Sequence, residues 1–250
     1  YSTSGLSNYP GQGDVFDSRM YIATSKTGGS ATEEWSVTSA VPQSSVRSNE
    51  IVVDDSNNVY FLDDNNAENL TKYDESGSFV DSLTTEEFGA GLAITDVNNE
   101  QYVGVNANDR HTSVRVSDFT EVASKSFGNS NVRGISDVDG GFILGDQAGQ
   151  ARSDEALNRQ WTDTSIGDRR GLSVASNAGT YIAVAFADRE IRSIADGSLV
   201  DTAKLSADGY AFVTASPNYF YLVNDGQIQQ IDAADGSKGW SVADSRAGEL

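Results

Sequence analysis

With one histidine, one methionine and no cysteine, the chain must draw any catalytic or ligand chemistry from hydroxyls, carboxylates and arginines. A serine or threonine nucleophile needs a base to take its proton. The one histidine, His111, stands in Asn108-Asp109-Arg110-His111-Thr112. That polar run reads as an exposed turn between the second and third strands of a repeat, which makes His111 a solvated loop residue. The absence of cysteine removes disulfides, thiolate metal sites and cysteine nucleophiles together. Oxygen ligands are plentiful. Asp96, Asn98 and Glu100 alternate along the chain as a hard cation would require, and Asp137 with Asp139 partly repeats the theme. Asx residues and glycine also belong in hairpin turns, however, and the calcium-loop spacing with its distal glutamate is missing. Turn geometry is therefore expected at both places, and neither a metal nor a cofactor is assigned. No carboxylate pair stands out for glycoside hydrolysis.

The elements that would position these residues recur. An apolar-aromatic strand is centred on Tyr21, Tyr60, Tyr102, Phe142, Tyr181 and Phe220, in steps of about 40 residues. Before each centre a first apolar strand ends in a polar turn, as in Ile51-Val52-Val53 or Leu92-Ala93-Ile94. After it comes an alternating third strand, as in Ser113-Val114-Arg115-Val116, Glu190-Ile191-Arg192-Ser193-Ile194 and Gln227-Ile228-Gln229-Gln230-Ile231. A fourth strand follows around Phe79, Val122, Trp161, Val200 and Trp240. Four short strands per repeat, separated by Gly, Asn, Asp and Ser turns, predict a propeller blade. One such sheet cannot bury both its faces, whereas stacking like sheets around an axis covers each face with a neighbour. The expected fold is all-β: one six-bladed β-propeller of four antiparallel strands per blade, spanning residues 1–250 as a single domain. The first repeat is irregular, with a clipped third strand, and residues 1–13 are expected to pair with the last blade. No run keeps a 3.6-residue apolar period for three turns, and apolar runs such as Tyr181 to Ala187 are too short to span a membrane.

The repeat brings distant residues to one place. The connection from a fourth strand to the next first strand reaches the mouth of the central channel, and at the start of those inner strands stand Glu50, Ala90, Arg133, Arg170 and Tyr210, with Arg47 and Arg169 beside them. In an acidic chain these bases mark an anion-recognising mouth, since arginine presents a planar fork to carboxylate or sulfate. Arg133, Arg170, Tyr210, Arg47 and Glu50 are the expected ligand-binding residues. The competing reading pairs these arginines with local acids such as Glu50 and Asp168.

Two segments resemble known repeat families. The run from Ile51 to Phe79, with Val53-Asp54-Asp55-Ser56-Asn57-Asn58-Val59-Tyr60-Phe61-Leu62-Asp63 and later Lys72-Tyr73-Asp74-Glu75-Ser76-Gly77-Ser78-Phe79, resembles the NHL type of repeat. Tyr219 to Val242, with Asp235-Gly236 and Trp240, resembles the repeat of pyrroloquinoline-quinone-type propellers. The resemblance implies a propeller and does not select an activity. Quinone-dependent catalysis is rejected, because those enzymes typically use eight blades and often adjacent cysteines.

The 37 acidic residues outnumber 17 basic ones, for a formal net charge of −20, and aspartate exceeds glutamate as arginine exceeds lysine. This balance resembles that of haloarchaeal and haloarchaeal-virus proteins. No basic stripe is available to displace counterions from phosphates, so nucleic acid is not an expected partner. A start at Tyr1 without an initiator methionine or an apolar signal stretch is the expected form of a processed, exported chain. The function expected is non-enzymatic recognition or structure on an exterior surface in a hypersaline setting, by a secreted, cell-surface or virion protein that binds another protein or an acidic surface glycan. The alternative is a carbohydrate-active or lactonase-like enzyme with a carboxylate and metal site in the channel.

At molar salt the screening length falls to about 3 Å, and the mutual repulsion of the acids collapses. The melting temperature should therefore rise on transfer from dilute buffer to multimolar KCl. Equal or greater stability in dilute buffer would overturn the halophilic reading.

Overall fold

A computed structural model describes residues 15–21, 36–42, 51–63, 69–85, 89–107, 110–126, 134–146, 149–163, 173–176, 179–185, 188–202, 212–215, 218–224 and 227–243. All regular structure among them is β. β1 (Val15–Tyr21) and β2 (Ser36–Pro42) pair as a two-stranded antiparallel sheet. Sheet two follows with β3 (Ile51–Val53), β4 (Val59–Asp63), β5 (Asn69–Tyr73) and β6 (Phe79–Thr84). Sheet three holds β7 (Gly89–Val97), β8 (Glu100–Ala107), β9 (Arg110–Arg115) and β10 (Thr120–Ser126). Sheet four holds β11 (Gly134–Val138), β12 (Gly141–Asp146), β13 (Gly149–Ser153) and β14 (Arg159–Asp163). Sheet five holds β15 (Ser173–Ser176), β16 (Thr180–Ala185), β17 (Asp188–Ser193) and β18 (Leu199–Thr202). Sheet six holds β19 (Phe212–Ala215), β20 (Tyr219–Asn224), β21 (Gln227–Asp232) and β22 (Lys238–Ala243).

Each of these five sheets is a four-stranded antiparallel meander in chain order. The aromatic centres Tyr60, Tyr102, Phe142, Tyr181 and Phe220 all fall on second strands, while Tyr21 closes β1. First strands stand side by side in sequence, β3 by β7, β7 by β11, β11 by β15 and β15 by β19. Burial follows from this stacking. His111, Thr112, Ser113 and Val114 on β9 are all buried, so both faces of that strand are covered, whereas every described side chain of β22 is exposed.

Neighbouring sheets are joined by a repeated bond. The residue that opens a third-to-fourth-strand turn ties its N–H to the first hairpin of its own sheet: Val116 to the Gln101 carbonyl, Ile194 to that of Gly179, and Ala233 to that of Asn218. Its carbonyl then accepts from the preceding sheet. Lys72 Nζ donates to Val116 at 3.3 Å, Trp161 Nε1 to Ile194 at 2.9 Å, and Thr180 Oγ1 to Ala233 at 2.9 Å. Between sheets three and four the hydroxyl of Thr95 donates to the Val138 carbonyl at 2.7 Å. Each such bond satisfies a backbone acceptor at the seam that would otherwise lose its water partner.

The same turns carry a left-handed position. Gly77, Gly197 and Gly236 occupy it in sheets two, five and six with φ of 79°, 75° and 70°. At the equivalent places in sheets three and four stand Phe119 and Leu157, with φ of 52° and 58°, which costs a side-chain-bearing residue about 1–3 kcal/mol. Burial offsets the strain. Phe119 lies 6.1 Å from the Tyr60 ring of the preceding sheet, and Leu157 packs into a cluster of Ala93, Ile135, Phe142 and Leu144 that spans sheets three and four. At Gly197 a Cβ would come within 2.9 Å of Trp161, so there the preceding sheet supplies the side chain and the turn supplies the room. Gly104 has the same role in the middle of a strand, since a Cβ there would approach Ile135 and Phe142 to 2.6 and 2.7 Å.

Leu157→Ala should lower the unfolding free energy by about 2–5 kcal/mol, read by denaturant titration. Leu157→Gly should cost no more than the alanine change although it removes one more carbon, because glycine relieves the positive φ.

Candidate interaction surface

The five residues expected at the channel mouth, Arg47, Glu50, Arg133, Arg170 and Tyr210, lie outside the described residues. Glu50 directly precedes β3 and Arg133 directly precedes β11, while Arg170 and Tyr210 come three and two residues before β15 and β19. Ala90, at the corresponding place in sheet three, is the second residue of β7. Arg169 and Asp168 are likewise outside the description, as are residues 1–13.

The carboxylates of the first hairpins are described. Asp96 pairs with Gln101 and Val97 with Glu100, ahead of Asn98 and Asn99, whose φ of 53° and 64° form the two-residue turn. In sheet four Asp139 and Gly140, the latter at φ 78°, make the equivalent turn, and Arg152 donates to the Asp139 carbonyl at 3.0 Å. Asn and Gly are here for backbone geometry, as expected. The carboxyl of Asp137 is crowded by protein atoms although the residue reaches solvent, and this desolvation, with the charge of Asp96 behind it, raises its pKa. Asp96 and Asp137 thus sense one another across the seam between sheets three and four. Among the described residues no three acids or histidines are grouped to hold a metal ion.

His111 departs from expectation. It is the second residue of β9, paired with Asn106 on one side and Lys125 on the other, and is 0% exposed. Arg110, His111 and Thr112 of that polar run already belong to β9, and the strand is covered on both faces. Burial, followed by the positive charge of Arg159, pushes its pKa down to about 3, so the ring is neutral at ordinary pH. It is a core residue, neither a solvated loop histidine nor one poised to exchange protons with a ligand in solution.

A buried ionic cluster, not anticipated from sequence, joins sheets four and five. The Arg192 guanidinium pairs with Glu190 at 2.8 Å and with Asp163 of the preceding sheet, and donates to the Gly197 carbonyl at 2.6 Å. Beside it Trp161 stacks on Tyr181 with ring centroids 5.9 Å apart, and the Tyr181 hydroxyl donates to Gln150 Oε1 at 2.5 Å. The buried guanidinium relies on both carboxylates to offset its desolvation, and breaking such a pair generally costs about 3–5 kcal/mol. The alternation in Glu190-Ile191-Arg192 marked a strand, but the partner Asp163 is distant in sequence and no local signal names it.

Apolar side chains reach solvent mainly along the outer strands. Phe79 and Val80 on β6, Leu199 and Val200 on β18, and Trp240 and Val242 on β22 are the large exposed hydrophobics among the described residues. All five fourth strands carry a bulge against the third strand. Bulges interrupt an edge ladder and discourage strand addition, so these edges offer side chains rather than backbone. Sequence reading placed the fourth strands correctly and missed their exposure. The available signal was the adjacent apolar pairs Phe79-Val80 and Leu199-Val200, which alternation cannot turn to one face.

The unfolded chain takes up a proton on His111 near pH 6.5 and the folded chain not until about pH 3, so stability is full above 6.5 and declines as pH falls toward 3, by at most about 1.4 kcal/mol per pH unit. His111→Gln should flatten this part of the profile while leaving the steeper carboxylate loss at lower pH, as read by denaturant titration across pH 7 to 3. An unchanged slope would place the titration elsewhere.

No family model matches the chain, and no curated protein matches it in sequence. Solved structures do. BamB from Moraxella catarrhalis is similar over 80% of this chain and 66% of its own, with a TM-score of 0.59 and 14% identity. A chain of a mitotic checkpoint complex is similar over 78% of this chain and 63% of its own, with a TM-score of 0.64 and 17% identity. This chain therefore spans less than two thirds of either. Together with the five four-stranded meanders, these likenesses show that the chain has a β-propeller repeat fold.

Proposed function

We propose that the chain is a non-enzymatic recognition module built on a six-bladed propeller, with β1 and β2 belonging to the first blade and residues 1–13 completing the ring against the last. The observation that carries the reading is the order of the first strands. β3, β7, β11, β15 and β19 adjoin one another in chain order, and Arg133, Arg170 and Tyr210 stand one, three and two residues ahead of three consecutive members of that series. Residues that precede adjoining strands at one end gather at one mouth, although about 40 residues separate each from the next along the chain. Arginine supplies paired donors for carboxylate or sulfate, and tyrosine supplies a face for a sugar or an apolar side chain.

The chemistry of the described surface supports an exterior, high-salt setting for a secreted, cell-surface or virion protein. Asp55, Glu75, Asp81, Asp118, Asp196 and Asp235 all sit exposed on turns or outer strands, where they hold water and repel acidic neighbours. Assembly with other proteins is supported by one of the similar structures, a chain of a mitotic checkpoint complex. The partner is a protein or a glycan bearing carboxylates or sulfates.

Replacing Arg133 and Arg170 together with alanine should weaken binding to a sulfated or uronic-acid glycan by at least about tenfold, since each shielded charge-assisted contact contributes about 1.5–3 kcal/mol. Surface plasmon resonance on immobilised glycans in molar KCl reads the affinity, and a melting curve checks that the ring is intact. Binding equal to the parent's would reduce these arginines to structural partners of nearby acids.

A further inference from the structure

The β5–β6 hairpin of sheet two combines features that the mouth does not use. Phe61, Tyr73 and Phe79 form a continuous aromatic row across three strands, with Phe61 stacked on Tyr73 at 5.5 Å and Tyr73 meeting Phe79 edge-on at 6.0 Å. The row runs from Phe61 at 8% exposure to Phe79 at 60%. It lies on the face turned away from sheet three, because the opposite face of sheet two places Tyr60, Leu62 and Leu70 against Leu92, Val103, Val105 and Val114. Val80, the bulged residue beside Phe79, is 47% exposed and extends the apolar end.

Acids flank that end. Asp74 and Glu75 lie in the turn ahead of Phe79, whereas Asp81, the cross-strand partner of Lys72, belongs to the opposite face. Asp74 is held in its ionised form by the Ser76 hydroxyl, then by the Ser78 N–H, both bonded to its Oδ1. The base of the hairpin, Lys72, stands on the other face, over the Tyr60 ring at 5.4 Å and bonded to Val116 of sheet three. An aromatic edge rimmed by carboxylates is complementary to a cation carried on an apolar stem, since the ring face and the carboxylates both favour positive charge. The acids of this hairpin repel an acidic segment here, and the net charge of −20 disfavours a second copy of this chain. The bulge between the pairings of Lys72 and Tyr73 interrupts the edge ladder, so contact is made through side chains rather than by strand addition.

We infer that the β5–β6 hairpin docks a protein segment in which an arginine or lysine neighbours an aliphatic or aromatic side chain. The apolar residue covers Phe79 and Val80, and the cation lies against the Tyr73–Phe79 edge within reach of the turn acids Asp74 and Glu75. This surface has the opposite charge preference to the mouth proposed above, and the two are separable.

The test uses three short synthetic peptides, one alternating Arg and Leu, one Arg and Ser, and one Glu and Leu, with binding to the full chain read by fluorescence anisotropy in dilute buffer and in molar KCl. The Arg–Leu peptide should bind at least about tenfold more tightly than either control. Phe79→Ser should remove most of that preference, as should the Asp74→Asn, Glu75→Gln double variant, while Asp196→Asn on the remote turn of sheet five should leave it unchanged. The Arg133→Ala, Arg170→Ala protein should bind the peptide as the parent does, so failure at the mouth and failure at this edge are distinguishable. Melting curves verify that each variant is folded, and the charge variant retains the test if Phe79→Ser is not. Equal binding of the Arg–Ser peptide would reduce the effect to diffuse attraction and overturn the proposal, as would undiminished binding to either hairpin variant or no binding of the Arg–Leu peptide to the parent.

Discussion

A four-stranded sheet with apolar side chains on both faces cannot be satisfied by one neighbour. This requirement, which sheets three, four and five meet with a four-stranded neighbour on each side, organises the structure. β9 illustrates it, since its consecutive buried residues His111, Thr112, Ser113 and Val114 would leave half their number in water on a sheet packed on one side only. Stacking also brings polar backbone to the seams. The carbonyls of Val116, Ile194 and Ala233 each accept a side-chain bond from the preceding sheet, so the cost of burying them is offset by the same contact that aligns the sheets.

Close approach between sheets is achieved by exchanging volume across the seam. Where the third-to-fourth-strand turn carries Gly197, Trp161 of the preceding sheet fills the space, and where the turn carries Leu157 or Phe119, the side chain itself crosses. Both solutions use one left-handed backbone position. The ionic cluster of Arg192, Glu190 and Asp163 is a third kind of fastening, directional where the apolar contacts are not. Its cost in desolvation is tolerable because the guanidinium also meets a carbonyl.

Because the inner strands are committed to packing, the turns, the segments ahead of the first strands and the outer strands are what is left to vary in chemistry. The turns carry acid, the loops ahead of the first strands carry arginine, and the outer strands carry exposed apolar pairs. On the proposals made above, the arginines would serve an acidic partner and the β5–β6 hairpin a cationic one.

The spacing of Tyr60, Tyr102, Phe142, Tyr181 and Phe220 already determined the strand order and the repeat, because one strand per aromatic centre and one turn per Asn, Asp or Gly cluster are local consequences of side-chain period and backbone freedom. The placement of Asn98-Asn99 and Asp139-Gly140 in hairpin turns was legible for the same reason. The burial of His111 was not, since its polar neighbours indicate a turn and only coverage from both adjacent sheets makes the position interior. Nor was the exposure of Phe79 and Trp240, which share their residue types with the core and differ only in lying on the outermost strand. The pairing of Arg192 with Asp163 also belongs to the tertiary structure, because no local pattern links residues on successive sheets. Local geometry follows from the chain's own short-range sterics and hydrogen bonding, whereas burial and charge pairing depend on which other sheet arrives against each face.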